Sequence, residues 1–271
     1  MEAISARQAA YSPMANFGNV LRSEFTKLRS VRSTYWTLFA AFVTAIGFSV
    51  ITGLVVSSNY ANFKPHERAD FNPTQISLGG LNLAQIAIGV LGVLVITSEY
   101  GTGMIRATVS AVPQRRMMLA AKATVFALTA LVFGLLASFL AYFIGQAILS
   151  GSAPSSSIGD PHVLRAVAGG GLYLAALGLL GLGLGAIIRA SAGAISALFG
   201  ILFVLPIISA ALPQSWQDTI DPYLPFNAGR QIFIVNPNSA DLGPWAGYGV
   251  FCLYAAIALL IAGILIKRRD A

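Results

Sequence analysis

The chain has 271 residues, 56% of them hydrophobic and only 10% charged, whereas soluble globular domains carry about 25% charged residues. That composition argues against a water-soluble fold and leaves room for five or six membrane spans of about 20 residues each. The net charge of +7 reads as a topology signal rather than a nucleic-acid footprint, and one cysteine (Cys252) with two distant histidines (His66, His162) excludes an internal disulfide scaffold and a zinc site.

The first 35 residues are basic and precede the first apolar run. Within them, residues 16–35 place Phe17, Leu21, Phe25, Leu28, Val31 and Tyr35 at helical spacing on one face,. Arg22 and Arg29, one heptad apart, point away from that stripe, and Lys27 and Arg32 flank it where they can snorkel to phosphates,. The pattern predicts an amphipathic helix lying in the inner membrane surface just before the first span. A basic segment of this length exceeds a signal-peptide n-region, so the first apolar run is expected to be an uncleaved transmembrane helix.

Six apolar runs follow, at about 36–56, 76–97, 118–149, 164–188, 191–212 and 245–266,. The third is long enough, at about 48 Å as a helix, to tilt or project beyond a hydrocarbon layer of about 30 Å. Arg189 separates the fourth run from the fifth and marks a tight turn, because a charge at mid-bilayer costs about 2.5–3.5 kcal/mol. The expected organisation is therefore all-α, with a cytoplasmic segment over 1–35 and one six-span membrane domain over 36–271. The Ser-rich stretch 150–157 reads as an outside turn.

The connection between the second and third runs, TSEYGTGMIRATVSAVPQRRMMLAAK (97–122), carries the densest local information. Gly101 and Gly103 break the second span, and a short helix is expected from about Thr102 to Val112 before Pro113 ends it. Its apolar face needs a partner protein, lipid headgroups or its own bundle. Glu99 stands where the second span leaves the membrane. It is open to pairing with Arg106, to pairing with a partner's basic residue, or to remaining an ordinary solvated boundary charge.

Basic residues set the orientation. Arg7, Arg22, Lys27, Arg29, Arg32, Arg106, Arg115, Arg116, Lys122, Arg189, Lys267, Arg268 and Arg269 fall on one side; Lys64, Arg68, Arg165 and Arg230 fall on the other, among most of the acids. The positive-inside rule predicts both termini in the cytoplasm of a multi-pass cell-membrane protein.

Several chemistries are missing. None of the four lysines follows a glycine, so there is no Walker A loop for ATP, and no G-x-S-x-G elbow marks a hydrolase. No cofactor site or catalytic group is apparent. The middles of the six runs lack Asp, Glu, Lys, Arg and His, which disfavours an ion-coupled secondary transporter. Asn82, Gln85 and Gln146 are expected to make interhelical hydrogen bonds. Gly181 and Gly185, in G-x-x-x-G spacing with Gly183 between them, suit close helix packing, within the subunit more readily than across a dimer.

Together, LRSEFTKLRSVRSTYWTL before the first span, TSEYGTGMIRATVSAVPQRR between the second and third, and six spans without a large outside domain resemble the permease subunits of ABC-2-type ABC transporters. The resemblance implies an exporter whose permeases pair as a homodimer or with a related second permease, each bound to a cytosolic ABC ATPase subunit, here a separate polypeptide. It implies that 16–35 is the connecting helix on the lipid bilayer surface and that 98–116 contains the coupling helix. Glu99, Tyr100, Gly103, Arg106, Arg115 and Arg116 then lie at or next to the ATPase contact. The 213–244 connection looks like the family's short re-entrant helices. Apolar span interiors suit a small hydrophobic or amphipathic cargo. The alternatives from other classes are a membrane scaffold, immunity or sensor protein without a transport cycle, and the ion-coupled transporter.

Overall fold

The computed structural model describes residues 16–104 and 114–268, and among the described residues every regular element is a helix. Helix α1 (Phe17–Ser30) is capped by the Asn16 side chain, which accepts a hydrogen bond from the Gly18 amide at 3.2 Å. Val31 is extended and breaks α1 from α2 (Arg32–Asn59). A 3-10 turn (Tyr60–Asn62) and two short helices, α3 (Pro65–Ala69) and α4 (Pro73–Ser77), lead to α5 (Leu81–Gly101). Next come α6 (Arg115–Leu149), α7 (Val163–Ile188), α8 (Ser191–Phe199) and α9 (Leu205–Ser209), the last two joined through one π-helical stretch, Gly200–Val204. Short helices α10 (Gln214–Ile220) and α11 (Pro225–Arg230) precede the final helix, α12 (Pro244–Arg268).

Six of these segments are long and apolar enough to cross a bilayer: Arg32–Asn62, α5, α6, α7, Ser191–Ser209 and α12. All six correspond to the runs expected from the sequence. The second begins later than expected because the chain turns at Leu78–Gly80, where Gly80 lies so close to the Ala45 backbone that a side chain would overlap its carbonyl. The third, at 35 residues, extends about 52 Å as a helix, so tilting or projection follows from its length. The fourth stops at Ile188 and the fifth starts at Ser191; Arg189 sits between them in the left-handed conformation, φ 63°. The helix break expected at that arginine is present.

Helix α7 is the most buried span, with α5, α6 and α12 packed around it. The approach to α5 is set by glycines on both helices. A methyl group at Gly92 would collide with the Gly178 carbonyl, and one at Gly181 would come within 2.5 Å of the Gly89 carbonyl. Gly185 meets Val93 and Ile96 of the same helix. The small-residue seam is thus an intrasubunit contact, with backbones near enough for dispersion and weak hydrogen bonds.

Polar side chains close one end of the bundle. Gln146, late in α6, donates to the carbonyl of Pro73 at 3.0 Å and to Ser77 Oγ at 2.9 Å, and accepts from the Ser156 amide at 2.6 Å. Gln85 accepts from the buried Tyr173 hydroxyl across the α5–α7 contact, while Asn82 bonds locally to the Gly79 carbonyl. Arg165, in the first turn of α7, donates to the carbonyls of Gln231, Ile232, Ile234 and Val235. The segment after α11 is thereby held beside α7, and Gly229 abuts Tyr173 and Phe251 inside the bundle. Of the short helices between the fifth and sixth spans, α11 and the turn after it fold back against the fourth and sixth spans, as a re-entrant element would, while α10 buries no residue.

At the other end meet the starts of the first, third and fifth spans and the ends of the second, fourth and sixth. Arg22, Lys27, Arg29, Arg32, Arg115, Arg116, Lys122, Arg189, Lys267 and Arg268 all lie there; we call it the basic end.

Candidate functional site

The basic end holds a buried cluster of four charges contributed by three helices. Glu24 projects from the middle of α1, Glu99 from the last turn of α5, and Lys122 from two turns inside α6; they are 4%, 6% and 3% exposed. Lys122 Nζ lies 2.5 Å from Glu24 Oε2 and 2.8 Å from Glu99 Oε1. Lys27, one turn along α1, lies 2.7 Å from Glu24 Oε1 and 3.4 Å from Glu99 Oε1. Two carboxylates and two ammonium groups neutralise one another. This neutrality makes burial tolerable, since removing one member of such a set leaves an uncompensated charge at a cost of about 3–5 kcal/mol.

Lys27 is partly buried, which alone would lower its pKa. The hydrogen bond and charge of Glu24, with Glu99 behind it, outweigh burial, and the net shift is upward from 10.5. Lys27 thus stays protonated at physiological pH and holds the two acids together.

The cluster settles two points that the sequence left open and corrects one. Lys122, which lies where the 97–122 connection overlaps the third run, stands in the second turn of α6, and it survives there because two acids meet it. Lys27 turns inward to Glu24 and Glu99 instead of reaching for lipid phosphates. Glu99 is a buried bridging residue with Lys122 and Lys27 as partners, not a solvated boundary charge.

The other residues singled out in the second connection sit close by. Tyr100 packs under the Arg189 guanidinium, 5.1 Å from its ring centre. Gly103 adopts φ 71° directly after the Thr102 cap of α5, the left-handed stop that glycine adopts with least strain. Arg115 donates to the Ile266 carbonyl at 3.1 Å and Arg116 to the Gly263 carbonyl at 3.3 Å, fastening the start of the third span to the end of the sixth. The Ile266 carbonyl is one of the last four of α12, which have no donor within the helix, and Gly263 lies in the turn before,. Arg106, and all but the first residues of the short helix expected at 102–112, lie outside the described residues.

Helix α1 carries its apolar stripe outward. Phe17 and Phe25 are 40% and 52% exposed, Leu21 and Leu28 are half-buried, and Arg22 and Arg29 are exposed. The face turned into the protein is Val20 and Glu24. The amphipathic pattern is therefore present, but its packed side includes an acid that the apolar spacing does not reveal.

Beside the four charges, α1, the start of α2, the end of α5 and the start of α6 line a half-open cavity of about 840 Å³. Hydroxyls and charges line one part of it and Leu91, Leu94, Val95 and Val125 another. No group of metal-ligating residues occurs among the described residues.

The sequence pattern did not mark Glu24, nor the counter-ions of Lys122. The available signal was Lys122 itself: a lysine within an apolar run requires a counter-ion, and few acids lie near that end of the bundle.

Six spans, four of them packed on the glycine-rich fourth and the first on the second and third, with basic residues gathered at one end, define a polytopic α-helical membrane protein. The family profile described as ABC-2 family transporter protein matches residues 20–208. The chain belongs to that family and is a membrane component of a transporter. Among curated proteins, none matches it.

Proposed function

We propose that the chain is the permease subunit of an ATP-driven exporter, powered by a separate cytosolic ABC ATPase and working as a homodimer or beside a related permease. The basic end faces the cytoplasm, and α1 lies along the inner membrane surface with Phe17 and Phe25 toward lipid. The cargo is a small hydrophobic or amphipathic molecule.

The observation that carries this reading, beyond family membership, is where the charge cluster sits. Glu99 and Lys122 flank the 102–114 connection, one on each arm, and Glu24 and Lys27 tie both arms to α1. A push on the connection by a nucleotide-closed ATPase moves α5, α6 and α1 as one body. Binding energy at the cytosolic face then biases two arrangements of the spans, as any coupling requires. Buried ionisable groups lie at the end of the bundle rather than near its middle, where coupling-ion sites of secondary transporters lie, and this favours ATP as the energy source.

Glu99, Tyr100, Gly103, Arg106, Arg115 and Arg116 form or support the ATPase contact in this reading. Replacing Arg115 and Arg116 with Glu is expected to abolish cargo-dependent stimulation of ATP hydrolysis while membrane insertion persists. The Arg115→Lys, Arg116→Lys variant, which keeps donors for the α12 carbonyls, should retain part of it. Unchanged transport in the charge-reversed protein would count against the assignment.

A further inference from the structure

The cavity at the basic end has a charge that its own residues do not balance. Among the described residues five charged side chains line it: Arg22, Lys27 and Lys122 against Glu24 and Glu99. Both acids are engaged by the two lysines, and Arg22 meets no carboxylate among the described residues. The described lining therefore carries one net positive charge. Around Arg22 the wall is hydroxylic and open, with Ser23, Thr26, Ser30 and Ser33 all exposed; on the α5 and α6 side it becomes apolar at Leu91, Leu94, Val95 and Val125. Its volume, about 840 Å³, is within the range of ligand pockets, about 300–1,000 Å³.

We propose that this cavity is a binding site for an anionic phospholipid carrying one net negative charge, with its phosphate on Arg22 and the neighbouring hydroxyls and an acyl chain along Leu91, Leu94 and Val95. The occupant's charge is fixed by the unbalanced arginine, and its amphipathic form by the division of the wall. A zwitterionic lipid leaves the lining charge uncompensated, and a neutral hydrophobe leaves Arg22 without a counter-ion; the Thr26 and Ser30 hydroxyls already donate to the Arg22 and Thr26 carbonyls, so the hydroxyl donors for a phosphate are Ser23 and Ser33. Guanidinium suits phosphate through paired N–H donors. The site lies against α1, so an occupying lipid wedges between the surface helix and the spans and stiffens the element tied to the charge cluster. This holds whichever way the chain is oriented and whatever drives it.

The full chain, reconstituted in nanodiscs of equal phosphatidylglycerol and phosphatidylcholine, is released into mild detergent and its retained lipid measured by native mass spectrometry. The wild-type chain is expected to keep phosphatidylglycerol about fivefold over phosphatidylcholine, on the scale of one basic residue acting on an anionic lipid. Arg22→Gln removes the preference and Arg22→Lys restores part of it, while Lys267→Gln, at the same end but outside the cavity, keeps it. Leu94→Trp, which fills the apolar part, lowers retention of both lipids. Since Arg22 is exposed, its variants keep the wild-type elution profile. Equal preference in wild type and Arg22→Gln overturns the proposal. So does wild-type retention in Leu94→Trp, or recovery of a non-lipid anionic amphiphile in place of phospholipid.

Discussion

Lys122 is the residue on which the basic end depends. It is 3% exposed and its ammonium is shared between two carboxylates on different helices. Lys122→Met should destabilise the protein by about 3–5 kcal/mol, because Glu24 and Glu99 are left buried without their principal counter-ion. Adding Glu24→Gln and Glu99→Gln to the same chain should recover much of that loss, because the three groups act as a unit and their effects do not add. Thermal unfolding in detergent reads both; equal stability of Lys122→Met and wild type would mean that the cluster is hydrated and weak. Lys27 gives a pH signature. Its folded pKa is raised, so its contribution is fully present below the unfolded value of about 10.4 and is lost as pH rises through the higher folded value. The stability difference between wild type and Lys27→Met should be constant through neutral pH and shrink only in the alkaline range above about pH 10.

The Glu24–Lys122 pair was not legible in advance because it spans 98 residues and Glu24 looks like any polar-face residue of an amphipathic helix. Arg189, by contrast, was legible as a break, since a lone charge between two apolar runs has few other places to go.

At the scale of elements, α1 is the one whose role the packing refines most. Its stripe of Phe17, Leu21, Phe25 and Leu28 was readable from spacing, and the outward position of Phe17 and Phe25 agrees with it. What spacing did not convey is that the helix is anchored by ions on its inner side, through Glu24 and Lys27, as well as by Val20 and Leu28. A fluorophore attached at position 25 should be quenched by lipid-borne quenchers at the depth of the acyl–headgroup boundary, and one at position 29 by water-soluble quenchers. Position 25 in bulk water would rule out the surface-helix reading. The α5–α7 seam shows a similar partial legibility. Gly181 and Gly185 announce close packing by their spacing, yet the tightest approach is at Gly92 and Gly178, which no single-helix motif marks because the two glycines belong to different spans. The start of α5 was misplaced by a few residues for a related reason: residues 76–80 are apolar enough to continue a span, and only the contact of Gly80 with Ala45 shows that they turn.

For the whole molecule, six spans, their order and their common basic end followed from hydropathy and charge alone, since a bilayer forces backbone groups into helices and polar residues to helix ends. The expected partner contacts rest on resemblance alone, because a surface that meets another protein and one that meets headgroups share the same composition. In the proposed function, energy comes from a separate ATPase acting through the connection that Glu99 and Lys122 bracket. ATP-dependent export is measured in vesicles that contain the full chain with whatever P-loop subunit remains bound to it in mild detergent. A retained ATPase and transport that stops without ATP are expected, with basal hydrolysis persisting but transport lost in the Arg115→Glu, Arg116→Glu chain; cargo movement in the absence of any ATPase, or driven by an ion gradient alone, would overturn this reading.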